Sequence, residues 1–343
     1  MQPLVLTQII DKKSIGGIKM HSHDGLIFAY ILDGDGGGAA VDWQGVGDWR
    51  YEDGPLWVHI DCSNDDVKQW LQTESKLSAL SFDILMEQDT RPRFIITQEG
   101  FLLILRGVNC NPGSDPDDMV ALRMSFEENR IITMRQRRVM AINDIHEATE
   151  AGSGPKNAVN FLTMVIDRIV DRMGDVVADI DDQVDELEDT VLTAESYELR
   201  SQLAKIRRQI IGLRRYIAPQ RDVMARLQNE PLEWLSDKAK LHLRELLERT
   251  ARFVEDLDSA RDRAAITQEE LNNRLSEQMN KAMYTLSIVA AIFLPLSLLT
   301  GLLGINVGGI PGAENKWAFV MVVAMLIAAA AGLLVWFKKI KWL

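Results

Sequence analysis

Thiol and imidazole are scarce in this chain. Its 343 residues include two cysteines, Cys62 and Cys110. They are too few and too far apart for a disulfide framework or a Cys-x-x-Cys zinc module, and they suit a reducing compartment. Histidine occurs five times. The soft-ligand groupings of the N-terminal half are His21-x-His23 and the pair His59 and Cys62. Each is a candidate for a regulatory metal site, and each alone supplies fewer donors than a zinc ion takes, so ordinary surface or core roles compete. No P-loop, nucleophile motif or metal-hydrolase spacing occurs, and no enzyme is expected. Basic residues are outnumbered: the net charge is -12, which argues against a nucleic-acid partner and for cationic ones. The opening MQPLVLTQIIDKK lacks the apolar core of a signal peptide behind a basic start, so the soluble part is expected in the cytosol.

Charge itself is missing from Tyr284 to Leu303, and again from Trp317 to Phe337. A helix rising about 1.5 Å per residue needs roughly 20 apolar residues to cross a bilayer. Residues 283–306 and 317–337 therefore read as two transmembrane helices joined by an outer loop, 307–316. Lys338, Lys339 and Lys341 follow the second span and Lys281 precedes the first, whereas the loop holds one lysine and Glu314. The excess of lysine places both termini in the cytoplasm. Trp317, Trp336 and Trp342 fall where interfacial aromatics are expected.

The remainder divides by pattern. Residues 1–155 alternate short apolar runs with turns: LIFAYILD, broken by GDGGG at Gly34 to Gly38; LWVHID at Leu56 to Asp61; RFIIT and FLLILRGV around QEG; VALRMSF and RIITMRQ around Glu127-Glu128-Asn129. Helix candidates lie at Asp65 to Thr73 and Glu74 to Gln88. The expectation is an α+β cytoplasmic domain, a mixed sheet with flanking helices. Residues 156–235 read as a helix pair. An acidic helix sets Ile169, Val176, Ile180, Val184 and Leu187 on its apolar face, and a basic one runs from Ser196 to near Gln228. The two are expected to be antiparallel with complementary faces. A stalk helix, 236–282, starts at the plausible N-cap Ser236-Asp237 and runs into the first span without a stop. Leu243, Thr250, Leu257, Ala264 and Leu271 recur every seven residues, a coiled-coil-like seam that requires a partner.

The seam is expected to continue into the membrane as Asn280, Met283, Ser287, Ala290, Leu294, Ser297 and Gly301. These residues are small or polar, apart from Met283 and Leu294, while Ile288, Ile292, Phe293 and Leu298 lie off the stripe. Such a stripe is either a small-residue packing face or the wall of a pore made by several copies; periodicity does not separate the two. Pro295 removes a backbone hydrogen bond, and a ring of Leu294 beside it could gate ions by dewetting. The basic tail, 338–343, closes the chain.

Two spans at the end of the sequence, a long helix feeding the first, Gly304-Ile305-Asn306 at its outer end and the ending KKIKWL together resemble the CorA metal ion transporter family. That family carries Gly-Met-Asn at this place; the isoleucine and the following VGGIPG are more similar to its ZntB zinc-transporter branch. The resemblance implies a homopentameric funnel in the inner membrane, with five first spans lining the pore. It implies Gly304, Ile305 and Asn306 as the selectivity entrance, with Asn306 as a ring. Asn280, Met283, Ser287, Ala290, Leu294, Ser297 and Gly301 would face the conduit. Amide oxygens can hydrogen-bond the waters of a hydrated dication without the tight grip of carboxylates. Glu314 could concentrate cations outside. The spans hold neither histidine nor cysteine, so zinc is expected to pass hydrated, as cargo and not as a resident cofactor. Zinc transport is the leading expectation. A magnesium or cobalt channel is the alternative, and a membrane-anchored scaffold or sensor is the reading from a different class.

Overall fold

The computed structural model describes residues 25–98, 100–193, 197–232, 234–304 and 316–339. The chain separates into two units: Met1–Leu192 with Glu198–Ile266, and Thr193–Tyr197 with Thr267–Leu343. In the first unit the elements run β1 (Leu26–Leu32), β2 (Gly38–Val41), α1 (Trp43–Asp48), β3 (Leu56–Asp61), α2 (Asp65–Thr73), α3 (Ala79–Met86), β4 (Arg93–Ile96), β5 (Gly100–Gly107), β6 (Val120–Glu127), β7 (Arg130–Arg135) and α4 (Met140–Glu150). Three long helices follow: α5 (Ala158–Thr193), α6 (Tyr197–Asn229) and α7 (Asp237–Gly304), the last extending into the second unit. The second unit also holds α8 (Ala318–Lys339).

The strands form one mixed sheet in the order β2-β1-β3-β7-β6-β5-β4. The β3–β7 pair is parallel and the other pairs are antiparallel. Leu56, Trp57, Val58, His59 and Ile60 are all buried, as a central strand covered on both faces requires. Two turns depend on special geometry. In the GDGGG stretch Asp33 Oδ1 accepts from the backbone N–H groups of Asp35, Gly36 and Gly37 at 2.7, 3.0 and 3.0 Å. The Asp35 bond above all holds the Asp33 carboxyl below its ordinary range. Gly36 has φ of 115°, which side chains disfavour. At Gly100 a Cβ would strike the Phe126 carbonyl oxygen, so only glycine lets β5 start beside β6.

One face of the sheet is covered by α1, α2 and α3, whose Val46, Val67, Leu71 and Leu85 join Val58, Ile60, Leu102, Ile132 and Met134. The other meets α4 to α6. Phe28 stacks on His146 at 4.2 Å, Trp57 packs edge-on against Phe161 at 4.8 Å, and the Arg106 N–H donates to Gln220 Oε1 at 2.7 Å.

In the helical part of this unit, α5 turns Ile169, Met173, Val177, Ile180, Val184 and Leu187 inward. Val177 holds the place expected of Val176, which is only partly buried. Side chains join all three helices: Gln220 Nε2 approaches Met173 Sδ at 3.8 Å, and Thr250 Oγ1 approaches Met224 Sδ at 3.6 Å. A Cβ on Gly174 would meet Phe253 at 3.1 Å. Much of the acidic face of α5 pairs with α7: Arg263 with Asp181 at 2.9 Å, Glu188 at 3.1 Å and Asp185, and Arg249 with Asp171 at 2.7 Å. Arg214 of α6 also pairs with α7, at Asp258 (2.6 Å). Exposed pairs contribute at most about 1 kcal/mol each. Each fully buried leucine contributes about 1.5–3 kcal/mol, so the apolar faces dominate the packing.

The seam finds its partner inside the chain. Leu243, Thr250, Leu257 and Ala264 are at most 1 % exposed in the first unit, so this part of the seam does not require another copy. The N-cap expected at Ser236 forms, its Oγ accepting from the Ala239 N–H at 3.3 Å.

Candidate functional site

The site is built on the last part of α7. Two helices are long and apolar enough to cross a membrane, Asp237–Gly304 and Ala318–Lys339, and the most apolar window of each is unburied. Before the first span, Lys281 pairs with Glu277 at 2.9 Å and holds that carboxyl below its ordinary range. Helix α7 runs through Pro295 without interruption. A turn later, the Thr300 hydroxyl donates to the Leu296 and Ser297 carbonyls at 3.0 and 3.1 Å.

Coverage along this span follows one side of the helix. Ile288, Ala291, Ile292, Leu296 and Leu299 are partly shielded. Asn280, Met283, Ser287, Ala290, Leu294, Ser297 and Gly301 are all exposed, Leu294 by 69 %. At about 100° per residue the two sets lie roughly 150° apart. The exposed stripe is not a continuation of the stalk seam. Nine residues separate Leu271 from Asn280, which is about two and a half turns, so the stripe starts on the side of α7 opposite Leu271. The structure therefore gathers these seven residues on one face and leaves that face uncovered by the chain. On α8, Ala318, Val322, Leu326, Ala329, Ala330 and Leu333 are partly shielded and Phe337 is buried, again along a single stripe.

Of the entrance residues, Gly304 is the last of α7, and a Cβ there would meet nothing within 4 Å. Ile305, Asn306 and Glu314 lie outside the described residues, as do His21 and His23. His59 and Cys62 are placed on opposite faces of the sheet. His59 is 0 % exposed against Phe28. Its Nδ1 lies 2.8 Å from Thr133 Oγ1. That hydroxyl donates to the Val58 carbonyl, so Nδ1 carries the proton and Nε2 is left without a partner. Burial pushes the imidazole well below its ordinary value of 6.5, with a smaller contribution from Arg135, so the ring is neutral. Cys62 belongs to the opposite core; its thiol donates to the Arg135 carbonyl at 3.4 Å, and burial pushes its pKa up. Among the described residues no three His, Cys, Asp or Glu side chains are grouped to hold a metal ion.

These features meet known proteins along nearly the whole chain. The divalent cation transporter CmaX of Pseudomonas aeruginosa is 39 % identical over 324 residues, 93 % of this chain and 97 % of that protein. The zinc transport protein ZntB of Yersinia enterocolitica is 36 % identical over 317 residues, covering 92 % and 96 %. The solved structure of full-length CmaX superposes with a TM-score of 0.81 at 37 % identity, covering 94 % of this chain and all of that one. A family model described as "CorA-like Mg2+ transporter protein" matches residues 52–339. The chain thus belongs to the CorA-like metal ion transporter family.

Proposed function

We propose that this chain assembles as a symmetric homopentamer in the cytoplasmic membrane and moves divalent metal cations, zinc first among them, through a path lined by α7. The observation that carries the reading is the stripe from Asn280 to Gly301: five small or polar positions, with Met283 and Leu294 among them, exposed on one side of an apolar helix. A lipid-facing surface needs no Asn or Ser, and one chain with two spans cannot enclose water. Several copies can.

In this reading Asn306 forms the outer ring, Glu314 raises the local cation concentration outside it, and Leu294 closes the path beside Pro295. Lys338 and Lys339 at the end of α8 support cytoplasmic termini. The cation is cargo; the hydrophobic and amide walls leave its water shell in place, because the described spans offer no imidazole or thiolate to replace it. The name of one relative, a divalent cation transporter, supports a divalent cation as cargo, and that of the other, a zinc transport protein, supports zinc. The family description names magnesium, which keeps a magnesium channel as the second reading. A membrane-anchored scaffold has no use for the stripe.

The oligomer is the direct test of the pore. Light scattering with detergent correction on the purified chain is expected to give the mass of five protomers. Because the stalk seam is covered within the chain, the contacts between copies are assigned to other surfaces, the membrane stripe among them. A stable monomer that still transports would contradict the pore.

A further inference from the structure

We propose that the first unit carries a binding site for a phosphate-type oxyanion, held by Arg106, Arg123 and Arg137 in a cleft of about 330 Å³ beside Tyr216 of α6. The residues of this site all belong to the first unit. The sheet register creates it. Arg106 on β5 is paired with Ala121 on β6, and Arg123, two residues further along the same strand, projects to the same face. The methyl group of Ala121 leaves the space that a larger side chain would fill.

Arg123 is the central observation. It is 1 % exposed, and it lines the cleft. Its Nη2 donates to the Glu87 carbonyl at 3.0 Å, and its Nη1 reaches the Cys62 sulfur at 3.9 Å. Its Nε has no acceptor. Among the described residues it makes no ion pair with a carboxylate. A guanidinium withdrawn from water without a counter-charge is costly.

Its neighbours add to the positive charge. Arg106, 7 % exposed, spends its donors on the carbonyls of Thr90 (3.0 and 2.6 Å) and Met119 (2.8 Å), and its guanidinium lies 4.6 Å from the Tyr216 ring centre. Burial first, and then the charges of Arg123 and Arg137, lower its pKa, against Tyr216 and Asp89. Two carboxylates face the cleft. Asp118 is occupied by Arg137. Asp89 is 75 % exposed and stands 3.8 Å from both Arg106 and Arg215, a separation at which exposed pairs are weak. The buried end of the cleft therefore retains the uncompensated positive charge of Arg123. A tetrahedral oxyanion offers several acceptors at once and matches the forked donors of arginine.

Titration calorimetry on the detergent-purified full chain tests this, with inorganic phosphate compared with chloride at equal ionic strength. Saturable phosphate binding is expected, with chloride giving none. Arg123→Gln is expected to weaken it at least about tenfold, the loss of one charge-assisted contact. Because Arg123 is buried, Arg137→Gln is run in parallel; that side chain is 45 % exposed, and the same direction of change is expected. Adenosine monophosphate, competed against phosphate, distinguishes the sources. Tighter binding of the nucleotide identifies a phosphorylated small molecule, and tighter binding of phosphate identifies the free ion; either result supports the site. Absence of saturable phosphate binding, or unchanged affinity in both variants, overturns it.

Discussion

Replacing Asn306 with alanine is expected to lower divalent-cation flux by roughly 10- to 100-fold, the range for losing partners that orient a metal's surroundings, while the oligomer stays assembled. Asn306 comes two residues after Gly304, the last residue of α7, and in the proposed path it forms the outer ring. A side-chain amide at that place accepts from the waters around a dication and asks for no dehydration. Alanine offers no acceptor, and a ring of alanines leaves the hydrated ion with no replacement for bulk water. Asn306→Asp provides the contrast. Carboxylates bind dications more tightly, so this variant is expected to bind the cation and release it slowly, lowering maximal flux while lowering the half-saturating concentration. Flux into proteoliposomes, normalised to assembled protein, measures both. Near wild-type zinc and magnesium flux through Asn306→Ala would remove this residue from the mechanism.

Leu294→Ser is expected to raise basal flux about tenfold. Leu294 is the large apolar side chain of the stripe that lies next to Pro295, and it is exposed in the single chain. If five copies face one another, a narrow apolar ring resists wetting. Removing one leucine from water is worth about 2 kcal/mol, and a factor of ten in rate corresponds to about 1.4 kcal/mol. Wetting made easier by even one side chain therefore accounts for a change of this size. A packing role predicts the opposite pattern, since truncating a contact between helices loosens the oligomer and leaves flux per assembled oligomer unchanged or lower. Flux and oligomer mass measured on one preparation separate the two.

Much of the fold was legible in the sequence, because strands buried in a sheet and long amphipathic helices write their periods plainly. LWVHID is β3 at its full length, and Asp65 to Thr73 is α2. What escaped was short or weakly patterned. Strand β2, GAAV, is short, has one β-branched residue after three small ones, and is half exposed, so no alternation marks it. Helix α1 carries two glycines over six residues, and its Asp42 cap was the available signal. The seven-residue repeat of the stalk was legible as a seam, but its partner was not. Periodicity reports that a face is buried and says nothing of whether another copy or the same chain buries it. The change of side between Leu271 and Asn280 was recoverable from spacing, since the two are out of register with a seven-residue repeat. The arginines of ILRG and ALRM, each in an otherwise apolar strand, were the sequence mark of the cleft at Arg106 and Arg123. Sheet register, which sequence does not specify here, was needed to see that they share a face.

The ion path is tested most directly by zinc entry into sealed proteoliposomes containing the purified wild-type protein, read by a trapped zinc-sensitive dye with and without an imposed proton gradient. The account predicts saturable entry that is absent from protein-free vesicles and strongly reduced by Asn306→Ala. An assembled, correctly folded oligomer that passes neither zinc nor magnesium above the protein-free background would contradict it.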